Sequence, residues 1–328
     1  MGKIELDRIF GINSEEQFHE LALEVFRYQA AENPVYKAYL DHLGILPGSV
    51  KTLDEIPFLP VEFFKKHRVV TGDHDPEVIF ESSGTTGESI SKHYVCDLQL
   101  YRRSFTDTFN QFYGHPSAYC ILALLPSYLE RQHSSLVYMA DELINQSGHP
   151  RSGFYLDDYK GLISQLEILE NEQQPTLLLG VSFALLDLAD KSLPDLKNTI
   201  VMETGGMKGR REELTRKELH ERLCLGLKIG SIHSEYGMTE LLSQAYSKKD
   251  GVFHSPPWMR ILIRDPYDPF SPMSRDSSGG INIIDLANLH SCSFIATQDI
   301  GKLTPVGGFE VLGRFDSSDI RGCNLMLE

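Results

Sequence analysis

The chain has 328 residues with 41% hydrophobic content, enough to bury one large core or two modest ones. Its 46 acidic against 31 basic residues leave a formal charge of -15, which argues against a nucleic-acid partner, because holding a phosphate backbone takes clustered Lys and Arg and no basic stripe is present. Met1 to Phe10 is charged throughout and lacks the apolar run of a signal peptide, no stretch approaches the length of a membrane span, and the five cysteines form no CxxC pair, so a cytoplasmic protein with neither a zinc knuckle nor a disulfide framework is expected.

In chain order, Ser14 to Ala31 reads as an amphipathic helix, with Ser14 and Gln17 as a capping box and Phe18, Leu21, Ala22, Val25 and Phe26 as its apolar stripe. A Pro-rich stretch, Pro47 to Pro60, leads to Glu81-Ser82-Ser83-Gly84-Thr85-Thr86-Gly87. Ile90, Tyr94 and Val95 follow without a helical period, so that loop is expected to join two strands. Asp97 then caps a helix carrying Leu98, Tyr101, Phe105, Phe109 and Phe112 on one face.

Tyr119 to Leu125, Thr176 to Val181, Thr199 to Glu203 and Lys228 to His233 are strand candidates, and Arg210 to Leu225 is a helix separating the last two as in a β-α-β unit. A mostly parallel sheet follows from that alternation. After Tyr246 the pattern changes to short strands, Met259 to Ile263, Ile281 to Leu286, Ser293 to Thr297 and Phe309 to Phe315, so this part should be β-rich. Ser271 to Gly280 reads as a surface loop.

The loop at Ser82 to Gly87 concentrates hydroxyls and glycines. Glycine admits positive φ and close backbone approach, and successive inward N–H groups form an anion-binding concavity, so the composition suits phosphate; it also suits an ordinary polar turn. It is not a Walker A loop, since Glu88 stands where a Lys would follow Gly87.

Ser-Ser-Gly-Thr-Thr-Gly resembles the phosphate-binding motif of the adenylate-forming superfamily, which includes acyl-CoA synthetases and luciferases. Tyr236-Gly237-Met238-Thr239-Glu240 is similar to that superfamily's second signature, Thr297-Gln298-Asp299 to its ribose-binding T-G-D with the Gly replaced, and Gly313-Arg314-Phe315-Asp316 to its hinge motif, all in the family's order. Within the superfamily the chain most resembles acyl-protein synthetases of the LuxE type, through Ser82 to Gly87, Leu125 to Arg131 continuing through Ser134 to Met139, and the ending Ile320-Arg321-Gly322-Cys323-Asn324.

The resemblance implies an α/β fold: the large N-terminal domain of an adenylate-forming enzyme over residues 1–312, with mostly parallel sheets flanked by helices and a β-rich C-terminal part. Residues 313–328 would form a hinge-like motif and tail, and the C-terminal lid domain, of about a hundred residues in such enzymes, would be absent. ATP and Mg2+ are the implied cofactors. By the same resemblance Ser82, Ser83, Gly84, Thr85, Thr86 and Gly87 hold the β- and γ-phosphates, with Lys92 adding charge if the loop folds back. Thr239 contacts the α-phosphate and Glu240 holds Mg2+ through a hard oxygen ligand. Gly205 and Gly206 let adenine lie against the backbone with Tyr236 stacked opposite, Asp299 accepts from the ribose hydroxyls, and Arg314 reaches the ribose or phosphate. Gly205-Gly206 is equally a strand-to-helix turn, and Arg314 equally a surface ion-pair partner.

An acyl-protein synthetase keeps its product as a thioester on a cysteine near its C-terminus. Cys323 fits, with Arg321 two residues away to raise its thiolate fraction, although an unpaired Cys is also a common small core residue. The implied function is formation of an acyl-adenylate from ATP and a carboxylic, notably fatty, acid, capture on Cys323, and delivery to an acyl-reductase partner. A phenylacetate-type acyl- or aryl-CoA ligase and a noncatalytic nucleotide-binding subunit are the alternatives.

Overall fold

The computed structural model describes residues 4–82, 90–126, 133–205, 214–273, 277–305 and 307–315. Ser83, Gly84, Thr85, Thr86, Gly87, Gly206 and Cys323 lie outside the described residues, as does Asp316.

Helix Glu15–Glu32 starts where expected: Ser14 accepts from the Gln17 amide at 3.2 Å, while the Gln17 side chain returns to the Asn13 amide, one residue earlier than a capping box requires. Its stripe is buried, and Phe26 meets Phe294 edge-on at 5.9 Å between ring centres. Inside the helix Gln29 donates to the carbonyls of Asn288 and Leu289 and to Ser293, whose amide it accepts from at 2.8 Å. Asn33 caps helix Pro34–Leu43 and donates to the Ser291 carbonyl. A buried amide with all its bonds made fixes its partners as well as itself, so the first two long helices hold the distant loop 286–293 in place.

The middle of the chain forms a six-stranded sheet in the order Gly153–Phe154, Cys120–Leu124, Thr176–Val181, Thr199–Thr204, His233–Tyr236, Ala245–Ser247, parallel except for the last strand. Every residue of Cys120–Leu124 and Thr176–Val181 is buried, as strands covered on both faces must be. Helix Arg216–Leu227 connects the parallel neighbours Thr199–Thr204 and His233–Tyr236, the expected β-α-β arrangement. Its start differs: Thr215 and Glu218 form the capping box that begins it. The expected strand Lys228 to His233 is corrected. Lys228 closes the helix with φ of 56°, and the strand begins only at His233. Ile232 is buried, which explains its apolar signal, but it precedes the ladder.

A second sheet, of antiparallel strands, runs in the order Val252–Phe253, Phe309–Arg314, Phe294–Leu303, Gly279–Asp285, Met259–Arg264. Phe309–Arg314 pairs with Phe294–Leu303 only from Asp299 onward, and Leu59–Pro60 fills the edge left at Ile295 and Ala296 as a parallel strand. Pro is tolerated there because an edge residue need not donate to the ladder. The expected surface loop Ser271 to Gly280 is shorter than anticipated, since Gly279 already belongs to a strand. A separate hairpin, Val78–Glu81 with Lys92–Val95, carries the Ser/Gly/Thr loop between its strands, as the sequence indicated.

Candidate nucleotide and acid-activation site

The hairpin's inner end brings Ser82 against Ser91: Ser82 N–H donates to the Ser91 carbonyl at 3.0 Å and Ser91 N–H to the Ser82 hydroxyl at 2.9 Å. These bonds close the foot of the Ser/Gly/Thr loop. Lys92 pairs with Glu81 across the hairpin at 3.3 Å, half exposed. The Ser91 hydroxyl lies beside the Glu240 carboxylate, which is only 5% exposed although it belongs to a turn between strands. Burial raises the Glu240 carboxyl above its ordinary range; the Ser91 hydroxyl, its own amide and Arg314 pull the other way, and Asp299 adds to the rise.

The turn carrying Thr239 and Glu240 is pinned on both sides. His93, on the same strand as Lys92 but facing inward, places Nδ1 2.8 Å from the Thr239 carbonyl and Nε2 3.0 Å from Asn288 Oδ1, and Asn288 Nδ2 donates to the Glu240 carbonyl at 2.8 Å. Both partners are carbonyl oxygens that only accept, so the neutral ring can donate to one of them at a time. A second ring proton would complete the other contact, which burial opposes by pulling His93 down to about 4 against the Thr239 and Asn288 contacts. On the far side, Asp285 at the end of its strand accepts from the amides of Leu242 and Ser243 and from the Ser243 hydroxyl.

Asp299, 4% exposed, takes the Tyr236 hydroxyl on Oδ2 at 2.8 Å and Arg314 Nε on Oδ1 at 2.9 Å. Thr297 accepts from its amide. The outer side of the Arg314 guanidinium remains exposed. Burial, then Asp299, push the Tyr236 hydroxyl well above its ordinary value, which keeps it a donor. The Tyr236 ring packs on Phe253 and Phe309, with centres at 5.8 and 5.5 Å.

Gly205 ends the strand Thr199–Thr204 with φ of 69°, and its carbonyl accepts from Ser182 at 2.8 Å. Beneath it Glu203 is buried beside Arg216 and His220; burial opposes its ionisation, yet Arg216, His220 and Ser234 together hold the carboxyl below its ordinary value. Its strand neighbour Glu235 takes the Thr204 hydroxyl and is pushed by burial, despite that bond and with help from Glu203, up to about 7.

The structure therefore gathers Ser82, Tyr236, Thr239, Glu240, Asp299 and Arg314 around one locus, through shared partners, while Gly205 ends the strand beside that of Tyr236. Sequence reasoning missed Ser91, His93 and Asn288. Ser91, just before the strand Lys92–Val95, and His93 within it are both buried, in step with the strand's alternation, a signal available in the sequence. Asn288 gives none, because its role depends on a loop fixed by helices more than 250 residues earlier, with separations of 259 and 258 residues at Gln29 and Asn33.

A buried carboxylate and a hydroxyl are hard oxygen groups of the kind Mg2+ takes. No described helix is long and apolar enough to cross a membrane.

No family model matches the chain, and no curated protein matches it. Solved structures do. ATP-bound MatB from Rhodopseudomonas palustris superposes with a TM-score of 0.54 at 16% identity over 72% of this chain and 47% of that one. A 2-hydroxyisobutyryl-CoA ligase in the postadenylation state with 2-HIB-AMP gives 0.65 at 12% identity over 92% of this chain and 68% of that one. The amide bond synthetase McbA from Marinactinospora thermotolerans gives 0.52 at 17% identity over 72% and 48%. This chain thus spans about half the length of MatB and McbA. Identities this low speak to the fold alone, and the fold is the one the four motifs implied: the chain has the fold of the adenylate-forming enzymes.

Proposed function

We propose that the protein activates a carboxylic acid as its adenylate. The observation that carries this reading is that Ser91, bonded through its main chain to Ser82 at the foot of the Ser/Gly/Thr loop, has its hydroxyl beside the buried Glu240 carboxylate, bringing together the two motifs whose chemistry an ATP-dependent ligase needs. In this scheme Ser82 to Gly87 cradle the β- and γ-phosphates, Gly205 and Gly206 face adenine, and Asp299, oriented by Tyr236 and Arg314, accepts from the ribose. Thr239 meets the α-phosphate. Glu240 with Ser91 beside it would hold Mg2+, which neutralises phosphate charge when bound. An oxygen of the acid attacks the α-phosphorus, the α–β P–O bond breaks, and pyrophosphate leaves with its bonding electrons, a step governed by positioning and charge neutralisation.

The LuxE-type resemblance extends the proposal to an acyl-protein synthetase for fatty acids: the Cys323 thiolate attacks the acyl carbon, AMP leaves, and the thioester serves an acyl-reductase partner. A CoA ligase is the second reading, favoured by the likeness to 2-hydroxyisobutyryl-CoA ligase over 92% of the chain; there the thiol of coenzyme A takes the acyl group instead. ATP/pyrophosphate exchange with a panel of carboxylic acids tests activation, and no exchange with any acid refutes it. Intact-protein mass after incubation with ATP and acids, with and without coenzyme A, separates self-acylation from acyl-CoA release.

A further inference from the structure

Glu240 is held through its main chain. Its own carbonyl accepts from Asn288 at 2.8 Å, and the carbonyl before it, that of Thr239, takes His93 Nδ1 at 2.8 Å. The two gripping side chains touch each other and come from separate parts of the fold: His93 from the hairpin that carries the Ser/Gly/Thr loop, Asn288 from the loop anchored by Gln29 and Asn33. Phe64 meets the His93 ring edge-on at 5.8 Å and limits its rotation. A loop that carries a metal-facing carboxylate needs such support, because an oxygen ligand displaced by a fraction of an ångström loses much of its interaction with a small cation.

We infer that His93 and Asn288 are positioning residues that latch the Thr239–Glu240 turn to the strand Lys92–Val95, so that the carboxylate for Mg2+ is held in place against that strand. The inference rests on the proposed role of Glu240. A ring is needed at position 93 only to place one N–H donor against the Thr239 carbonyl. Asn at that position puts its amide nitrogen near the place of Nδ1, Gln puts its own near Nε2, and Leu fills the space without donating.

The test compares H93L, H93N and N288A with the unaltered protein by two readouts. One is amide hydrogen exchange of residues 237–244 in nucleotide-free protein; the other is the Mg2+ concentration giving half-maximal pyrophosphate exchange. We expect faster amide exchange confined to 237–244 in H93L and N288A, with helix Glu15–Glu32 unaffected, and a Mg2+ requirement raised about 10- to 100-fold. H93N should restore both readouts toward those of the unaltered protein. Unchanged protection and an unchanged Mg2+ requirement in H93L overturn the inference. Should H93L fail to fold, N288A decides: a normal Mg2+ requirement there overturns the latch. If the unaltered protein exchanges no pyrophosphate with any acid, the functional reading falls and takes the Mg2+ role with it, whereas protection of 237–244 judges the mechanical latch by itself.

Discussion

The Tyr236 hydroxyl donates to Asp299 Oδ2 at 2.8 Å across 63 residues of sequence, joining the last residue of a parallel-sheet strand to the middle of an antiparallel one. The two sheets meet at this bond, and it leaves Asp299 with one oxygen committed to Tyr236 and the other to Arg314. Removing the hydroxyl frees a buried carboxylate oxygen to rotate. Tyr236→Phe should therefore weaken ATP binding about tenfold, the equivalent of about 1.4 kcal/mol and near the low end for a hydrogen bond to a charged group. Titration calorimetry checks it: a stability loss with unaltered ATP affinity would mean that Asp299 serves the sheet junction and not the ribose.

Glu240 calls for the opposite pairing of effects. Burial raises its carboxyl, so the ionised form is costly without a cation, and Glu240→Gln should leave the nucleotide-free protein as stable as before or more so. Pyrophosphate exchange should nevertheless fall by about a hundredfold or more, since losing a metal ligand costs several kcal/mol and each ~1.4 kcal/mol is a factor of ten. Thermal unfolding without ligand and exchange rates across a magnesium series report the two effects separately. Exchange at the ordinary rate would remove Glu240 from the site.

The contrast between these residues and their neighbours shows what sequence carried. Glu240 and Asp299 could be singled out because their types and spacing are specific, and the structure places both near Arg314; the hydrophobic strands Cys120–Leu124 and Thr176–Val181 were legible because an unbroken apolar run admits few readings. The strand His233–Tyr236 was not legible. It reads His-Ser-Glu-Tyr, polar through its length, because buried hydroxyl and carboxyl partners on Thr204 and Asp299 replace the apolar neighbours that produce a strand signal. The pairing of Leu59–Pro60 with Ile295 and Ala296 was hidden for another reason: an edge two residues long has no period, and its partner lies far along the chain.

Glu235, in that polar strand, predicts a pH effect. Its carboxyl is held near 7 against an ordinary 4.5, so between those values the native state keeps a proton that the unfolded chain has released. Stability should fall as pH rises through this window and level off above about 7. The full difference is roughly 3 kcal/mol at about 1.4 kcal/mol per pH unit. Glu235→Gln, neutral throughout, should abolish that part of the decline. Urea unfolding of both proteins from pH 4.5 to 8 measures it, and parallel curves would show that Glu235 ionises normally. Gly237→Ala should destabilise in either case, because a Cβ there collides with Glu235 Oε1.

The last prediction separates activation from capture. Cys323→Ser should abolish stable, hydroxylamine-sensitive acylation of the protein while pyrophosphate exchange continues, because in the proposed scheme activation and capture use different groups. Serine keeps the size of the side chain but loses the accessible anion. An ordinary cysteine is a few per cent thiolate at neutral pH, whereas a hydroxyl is un-ionised and needs a neighbouring base; in the sequence Arg321-Gly322-Cys323-Asn324 the near charge is a cation, which favours a thiolate and offers no base. Among the other cysteines, burial raises the thiols of Cys96, Cys120 and Cys224, and pushes Cys292 up to about 12, so none of the four is primed as a nucleophile. Labelled acid still bound through a labile thioester in the Cys323→Ser protein would move the acceptor to one of them. Unaltered protein that takes up no label yet releases acyl-CoA would decide for the CoA-ligase reading, and the tail cysteine would then have no part in the chemistry.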